Sequence, residues 1–169
     1  MTKLNINAFM QAQFQPRTAD VDVLALASFF EDLTPEQEEW VGLSLNQRNE
    51  LLKKGETKQT IPWTVRGQTA SEVCRSMEAA QNQSKITTVV DAIATSKDQK
   101  ADIKTALGIG DDTPTDIVKR LEQLVTCSVN PEIDLPFAVK LAETFPIEFY
   151  QLTNKIIELT GLGMDLKKS

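Results

Sequence analysis

Apolar residues recur three or four positions apart over most of this chain, and two short stretches alternate apolar with polar residues in the manner of a strand. The first is Val21 and Val23 set between Asp20 and Asp22. The second is Ile61, Trp63 and Val65 set among Thr60, Pro62, Thr64 and Arg66. A period of two is the signature of a strand with one buried face. The two pieces are natural partners, and they predict a small two-stranded β element near residues 20–24 and 61–66. Pro62 cannot donate a backbone hydrogen bond, which marks the second strand as an edge. Everywhere else the period is helical, so the predicted fold class is mainly α, a multi-helix single domain carrying that β element.

Capping signals divide the helical part. Residues 1–16 are Gln-rich, with apolar Leu4, Ile6, Phe9, Met10 and Phe14, and form an N-terminal arm with at most one amphipathic turn. The run from Leu24 to Phe30 suits a short helix. At residues 31–59, Thr34 is an N-cap, Pro35 sits at the first helical position and Gln37 completes a capping box. Trp40, Leu43, Leu51 and Leu52 give that helix a partial stripe, and Lys53, Lys54 and Gly55 end it. Its mostly polar surface makes 31–59 an inserted helical arm. Thr69 and Glu72 form a second capping box, opening one long helix to about Thr95 with Val73, Met77, Ala80, Ile86, Val89, Val90 and Ile93 facing inward. A shorter helix starts near Ser96 and stops at Gly108 or Gly110. The next has Thr113 as cap, Pro114 at its first position, and Ile117, Leu121, Leu124 and Val125 as its apolar face. Asp134 caps a helix that Pro146 interrupts. The last helix carries Phe149, Leu152, Ile156, Ile157 and Leu159, and Gly161 ends it as a left-handed cap. The main domain thus spans 17–163, and 164–169 is a short, polar, flexible tail.

Composition narrows the function more than the fold. The chain has 169 residues and a formal charge of −6, with Lys53-Lys54 and Lys167-Lys168 as its densest basic runs. Phosphate neutralisation supplies much of the affinity for nucleic acid, so an acidic chain without a basic stripe is a poor candidate for it. No apolar stretch approaches the roughly 20 residues of a membrane span, and the N-terminus lacks the apolar core of a signal peptide. There is no histidine, and the two cysteines, Cys74 and Cys127, lie far apart and read as small buried apolar residues. His-based zinc sites and Ser-His-Asp or Cys-His catalysis are therefore out of reach. No catalytic, cofactor-binding or metal-ligating residue is assigned. Leu107–Asp112, "LGIGDD", lacks the ligand spacing of a calcium loop and reads as a helix end with a polar loop. Arg66-Gly67 stands just before a helix start, where free N–H groups could hold an anion. The competing reading is that Gly67 makes a turn and Arg66 pairs with a nearby carboxylate. The broad apolar band Phe145, Phe149, Tyr150, Leu152 and Ile156 reads as core, as an exposed groove or as a surface for self-association.

Three blocks carry a resemblance. They are "WTVRGQTASEV", the run "KRLEQLVTCSVNP", and "KLAETFPIEFYQLTNKIIELTGLG". Together, over roughly residues 60–163 and more weakly at "PRTADVDVLAL", the chain resembles the tail assembly chaperones of long-tailed, siphovirus-type bacteriophages. It departs from that pattern at the 31–59 arm, and at Gln68, where an apolar residue is expected. The resemblance implies a small, acidic, non-enzymatic helical protein of the host cytoplasm. It implies binding to the unassembled tape measure protein, whose apolar stripes stay covered until tail tube subunits polymerise around it. The chaperone would then be absent from the mature virion. It also implies a programmed frameshift giving an extended form that recruits the tail tube protein, and Lys167-Lys168 fits an A-rich slippery run. The client surface is placed on the last two helices, at Phe137, Leu141, Phe145, Phe149 and Leu152. The rival readings are a structural virion component and a small DNA-binding regulator reading through Pro114–Val125, with Lys119 and Arg120 beside Asp116 and Glu122.

Overall fold

A computed structural model of the chain describes residues 2–81, 84–106 and 115–168. The fold is mainly α, 62% helical, with ten helices among the described residues and short antiparallel strands. In chain order the elements are α1 (Ile6–Gln11), β1 (Phe14–Pro16), β2 (Thr18–Asp22), a 3-10 helix (Leu24–Phe29), α2 (Pro35–Gly42), α3 (Leu45–Lys53), β3 (Pro62–Arg66), α4 (Ala70–Gln81), α5 (Ser84–Ile93), α6 (Lys97–Ala106), α7 (Thr115–Cys127), β4 (Ser128–Asn130), α8 (Leu135–Thr144), α9 (Pro146–Gly161) and β5 (Met164–Leu166). Among the described residues no helix is long and apolar enough to cross a membrane.

The predicted strand pair forms, antiparallel, with Thr18 opposite Arg66 and Asp22 opposite Pro62. It gains a third strand: β4 pairs with β3 at Thr64 and Val65, giving the order β2-β3-β4. β3 is therefore central rather than an edge. Pro62 is tolerated because it is the first residue of its strand, and β4 does not reach it. The Trp63 indole N–H donates to Ser128 Oγ at 2.7 Å, and that hydroxyl donates to the Pro131 carbonyl. The Asn130–Pro131 peptide is cis. The residues expected as an arm and as a flexible tail pair with each other, Phe14–Pro16 against Met164–Leu166. Arg17 bridges to Asp165 at 2.8 Å across that second sheet.

Several helix boundaries differ from expectation for local reasons. The expected helix of the 31–59 arm is two helices. Its first box, Thr34 with Gln37, forms as read, and a second box, Ser44 with Gln47, starts a new helix. Both boxes share the Ser/Thr-x-x-Gln spacing. Arg48 clamps the bend by donating to the Trp40 and Val41 carbonyls at 2.8 Å each. α2 meets the body through Val41, which packs against the core, and through Gln37, whose side-chain amide donates to the Thr60 carbonyl at 2.7 Å, while α3 buries nothing. Of the long helix expected from Ala70 to Thr95, α4 and α5 are helical on either side of residues 82–83, which lie outside the described residues. Met77 is exposed, because α4 turns Ser76 and Ala80 inward instead. The Ser76 hydroxyl is satisfied by the Val73 carbonyl at 2.8 Å, so a serine can sit in an apolar interface. The last helix ends without a left-handed Gly161. The positive φ belongs to Gly163, at 75°, one residue beyond the Leu162 cap. Thr113, Pro114, Gly108, Gly110 and the Leu107–Asp112 stretch lie outside the described residues, as does the side chain of Ile86.

The core forms where α7, α8 and α9 meet the β2-β3 face. Ile61, Trp63, Val65, Leu121, Leu124, Phe149, Leu152 and Ile156 are essentially free of solvent. Aliphatic and aromatic burial on this scale contributes about 1.5–3 kcal/mol for each large side chain. At Gly67 a Cβ would lie 3.0 Å from the Leu159 carbonyl carbon and 3.0 Å from the Thr160 nitrogen, both backbone atoms of α9. Gly67→Ala should therefore destabilise the fold by about 1–3 kcal/mol, the usual cost of overpacking. Gly42→Ala, whose Cβ meets nothing within 4 Å, should be neutral or slightly stabilising. Urea denaturation of the two variants beside the parent checks the contrast.

Candidate functional site

Two places in the fold have the makings of a site. The first is Arg66-Gly67. Arg66 sits at the end of β3, and its guanidinium faces the first turn of α4. It forms a two-pronged pair with Glu72, at 2.9 and 2.8 Å, and also donates to the Gly67 and Thr126 carbonyls at 3.0 Å each. Glu72 is at the same time the third residue of the α4 capping box. It accepts from the Thr69 N–H at 2.8 Å while Thr69 Oγ1 accepts from its own N–H. A fork committed to one carboxylate and two carbonyls has no geometry left for a substrate anion. Arg66 is a structural cation that joins β3, α4 and α7. Gly67 permits close contact with α9 and does not adopt a left-handed turn.

Glu72 is held well below the usual carboxylate range, at about 2, first by the Arg66 hydrogen bonds and then by those from Thr69. Burial pushes the Cys127 thiol up to about 12, with Arg66 opposing it. Cys127 is therefore an inert core group. Cys74, expected to be buried, is exposed on α4. Gln68, where the resemblance called for an apolar residue, is buried but satisfied. Its N–H donates to Thr160 Oγ1 at 2.9 Å, and its side-chain oxygen accepts from Gln123 at 2.9 Å.

The second place is an open groove of about 990 Å³ between the 3-10 helix and α8. Leu26, Phe29 and Phe30 form one wall, and Phe137, Leu141 and Phe145 the other. Trp63 and Ile133 close the far side. Phe29 and Phe145 meet edge to face at 6.0 Å, and Phe137 tilts against Trp63 at 6.1 Å. Two of these aromatics are not consumed by the core: Phe29 is 72% exposed and Phe137 46% exposed. The rim carries four carboxylates, Glu31, Asp32, Glu132 and Asp134, against a single cation, Lys140. Asp134 also caps α8 by accepting from the Phe137 N–H at 3.0 Å. An apolar trough with charged edges is the form taken by surfaces that receive an amphipathic helix or an apolar peptide.

The five residues expected on a client surface divide between this groove and the interior. Phe137, Leu141 and Phe145 line the groove together. Phe149 and Leu152 do not reach it. They lie one helix further on, fully buried, because α9 turns that face toward the β2-β3 sheet. The opposing wall, Leu26, Phe29 and Phe30, was not anticipated. Its signal was the Phe29-Phe30-Glu31-Asp32 step, two aromatics running straight into two acids on an element too short to bury both. Arg120, a candidate for phosphate contact, is also committed. It pairs with Asp116 at 2.7 Å, donates to Thr153 and Asn154, and lies 5.0 Å over the Tyr150 ring. Among the described residues no group of three or more Cys, Asp or Glu is placed to hold a metal ion. No known family, curated protein or solved structure matches this chain.

The Arg66–Glu72 pair gives the site region a defined acid response. The carboxyl titrates lower when folded than when unfolded, so its stabilisation is complete above about pH 4.5 and is lost as the pH falls toward 2. Partial exposure to water keeps the loss to about 2 kcal/mol. Glu72→Gln should lower stability at pH 7 and remove most of the pH dependence between 4.5 and 2. Thermal melts across that range check it.

Proposed function

We propose that this chain is a non-enzymatic chaperone for an apolar, helix-forming client, and that the client is the tape measure protein of a long-tailed bacteriophage. The observation that carries the reading is the open aromatic groove between the 3-10 helix and α8, where Phe29 and Phe137 stay exposed above a floor of buried Leu26, Trp63 and Leu141. A chaperone of this kind needs a surface that covers apolar stripes on another chain and lets go without chemistry. An open trough gives that, since its occupant is held by desolvation rather than by enclosure. The resemblance of the blocks at 60–163 is what suggests this client, and the groove is a surface of the kind it would need. On this reading the protein acts in the host cytoplasm and is left out of the mature virion. A frameshift-extended form would bring tail tube protein to the covered client. The rival readings are a structural virion component and a DNA-binding regulator. The engagement of Arg120 within α7 and α9 favours neither a phosphate contact nor a recognition helix there.

Co-expression with the tape measure protein should keep that protein in the soluble fraction and allow the two to be purified together. Phe137→Ala and Phe145→Ala should each weaken the complex on the order of tenfold, the scale of an aromatic contact at the centre of an interface. Leu52→Ala, on α3 and away from the groove, should leave it intact. A tape measure protein that stays insoluble in the presence of the chain overturns the reading. Mass spectrometry of purified virions separates a chaperone, which should be missing, from a structural component, which should be present.

A further inference from the structure

We propose that the groove between the 3-10 helix and α8 is a receptor for a cationic amphipathic helix, and that Glu31, Asp32, Glu132 and Asp134 select this occupant through the lysines or arginines flanking its apolar face. This rests on the chaperone reading in taking the groove as the client surface. It adds the chemistry of the segment that fits there, whichever protein supplies it. Charges elsewhere that could have marked a site are already committed. Arg66 is held by Glu72 and Arg120 by Asp116, while Asp22 and Asp165 each have a cation within 3.0 Å. The rim is different. Among the described residues Glu31, Asp32, Glu132 and Asp134 form no ion pair, and neither does Lys140. All five are exposed. No lysine or arginine occurs between Arg17 and Arg48, so the 3-10 wall has no base of its own nearby in the chain. Four carboxylates against one lysine leave the rim at −3, half of the formal charge of −6, gathered around one apolar trough.

The form of the occupant follows from the walls. Both are helical, and Trp63 comes from the central strand of its sheet. The groove thus has no strand edge to pair with an extended chain. A helix satisfies its own backbone and needs only side-chain contacts. α8 runs for ten residues, which is about 15 Å, so a matching helix has about three turns. Large apolar residues three or four apart on that helix would seat against Phe29, Phe137 and Phe145. Glu31 and Asp32 directly follow the aromatics of one wall, and Glu132 and Asp134 open the other. Carboxylates therefore belong to both sides of the apolar strip, and cations on both flanks of the incoming face answer them. A helix with the same apolar face and acidic flanks meets like charge instead.

Three synthetic peptides of about four turns test this. They share one face of Leu and Phe and differ only in flanking lysine, glutamine or glutamate. Titration calorimetry on the full chain gives the affinities. None of the peptides contains tryptophan, so Trp63 emission reports filling of the groove in a Trp40→Phe background, where the replaced indole N–H had no partner to lose. The lysine peptide should bind on the order of tenfold tighter than the glutamine peptide, with the glutamate peptide weakest, and added salt should shrink that advantage. Glu31→Gln, Asp32→Asn, Glu132→Gln and Asp134→Asn together should abolish the preference and spare binding of the glutamine peptide. Asparagine at 134 keeps a cap on α8. Removing four charges from the 31–59 arm instead, at Glu38, Glu39, Glu50 and Glu56, should leave the preference in place, since none of these lines the groove. Phe29→Ser with Phe137→Ser should remove binding of every peptide. Equal binding of the three peptides overturns the inference, and so does a preference that survives loss of the rim charges. Either result leaves the groove standing as a client surface. Failure of all three peptides to bind the parent overturns that surface as well.

Discussion

The closest constraint in this molecule is the approach of Gly67 to the backbone of α9. There is no room between them for a single methyl group. Everything around that contact serves to hold it. Arg66 on one side spans β3, α4 and α7. Gln68 on the other donates its N–H to Thr160 and receives Gln123 from α7. Thr160 in turn donates to the Ile156 carbonyl within its own helix. Residues 66–68 are thereby the point at which the N-terminal sheet, the middle helices and the C-terminal helix are joined. Polar groups do this joining, and their donors find partners, while the buried Gln123 side-chain oxygen is left without one. The motif that looked most like an anion site is therefore a joint.

The position of that joint decides where the groove falls. With α9 pressed against β2 and β3, its Phe149, Leu152 and Ile156 become interior. α8 meets α5, α7 and α9 on its other faces, which leaves Phe137 and Phe145 turned toward the 3-10 helix. The groove is the space where the 3-10 helix and α8 approach each other without a third element among the described residues to cover them. Trp63, from the central strand, closes the far side of the groove and is anchored there by its hydrogen bond to Ser128.

What could be read beforehand follows from the range of each interaction. The capping boxes at Thr34 and Thr69 and the Asp134 cap involve residues three apart, and they were legible. The box at Ser44 was equally local and was hidden only because the apolar stripe ran past it. β2 and β3 announced themselves by alternation. β4 and the β1–β5 pair did not: three-residue strands show no period, and their partners are far away in the chain. The same limit applies to the groove. Helical periodicity finds the apolar face of α8 and of α9 equally well. It cannot say which face meets another element and which meets water. Phe137 and Phe149 are alike in sequence character, and only tertiary packing makes one a wall and the other core.

A protein that leaves aromatics exposed must avoid sticking to everything, and its charge pattern bears on how. The net charge of −6 gives mutual repulsion between copies at long range. The rim carboxylates concentrate that repulsion at the groove mouth, where an acidic segment would also bring its own charge to the four already there. This selects against the bulk of the chain's own surface and admits segments that are apolar and uncharged or basic. At about 0.15 M salt the Debye length is near 8 Å, so the rim acts only on what has already reached the groove. Charge therefore acts at short range, where the rim chooses the occupant. The apolar walls then supply the affinity, which is set by how much of Phe29, Phe137 and Phe145 the occupant covers.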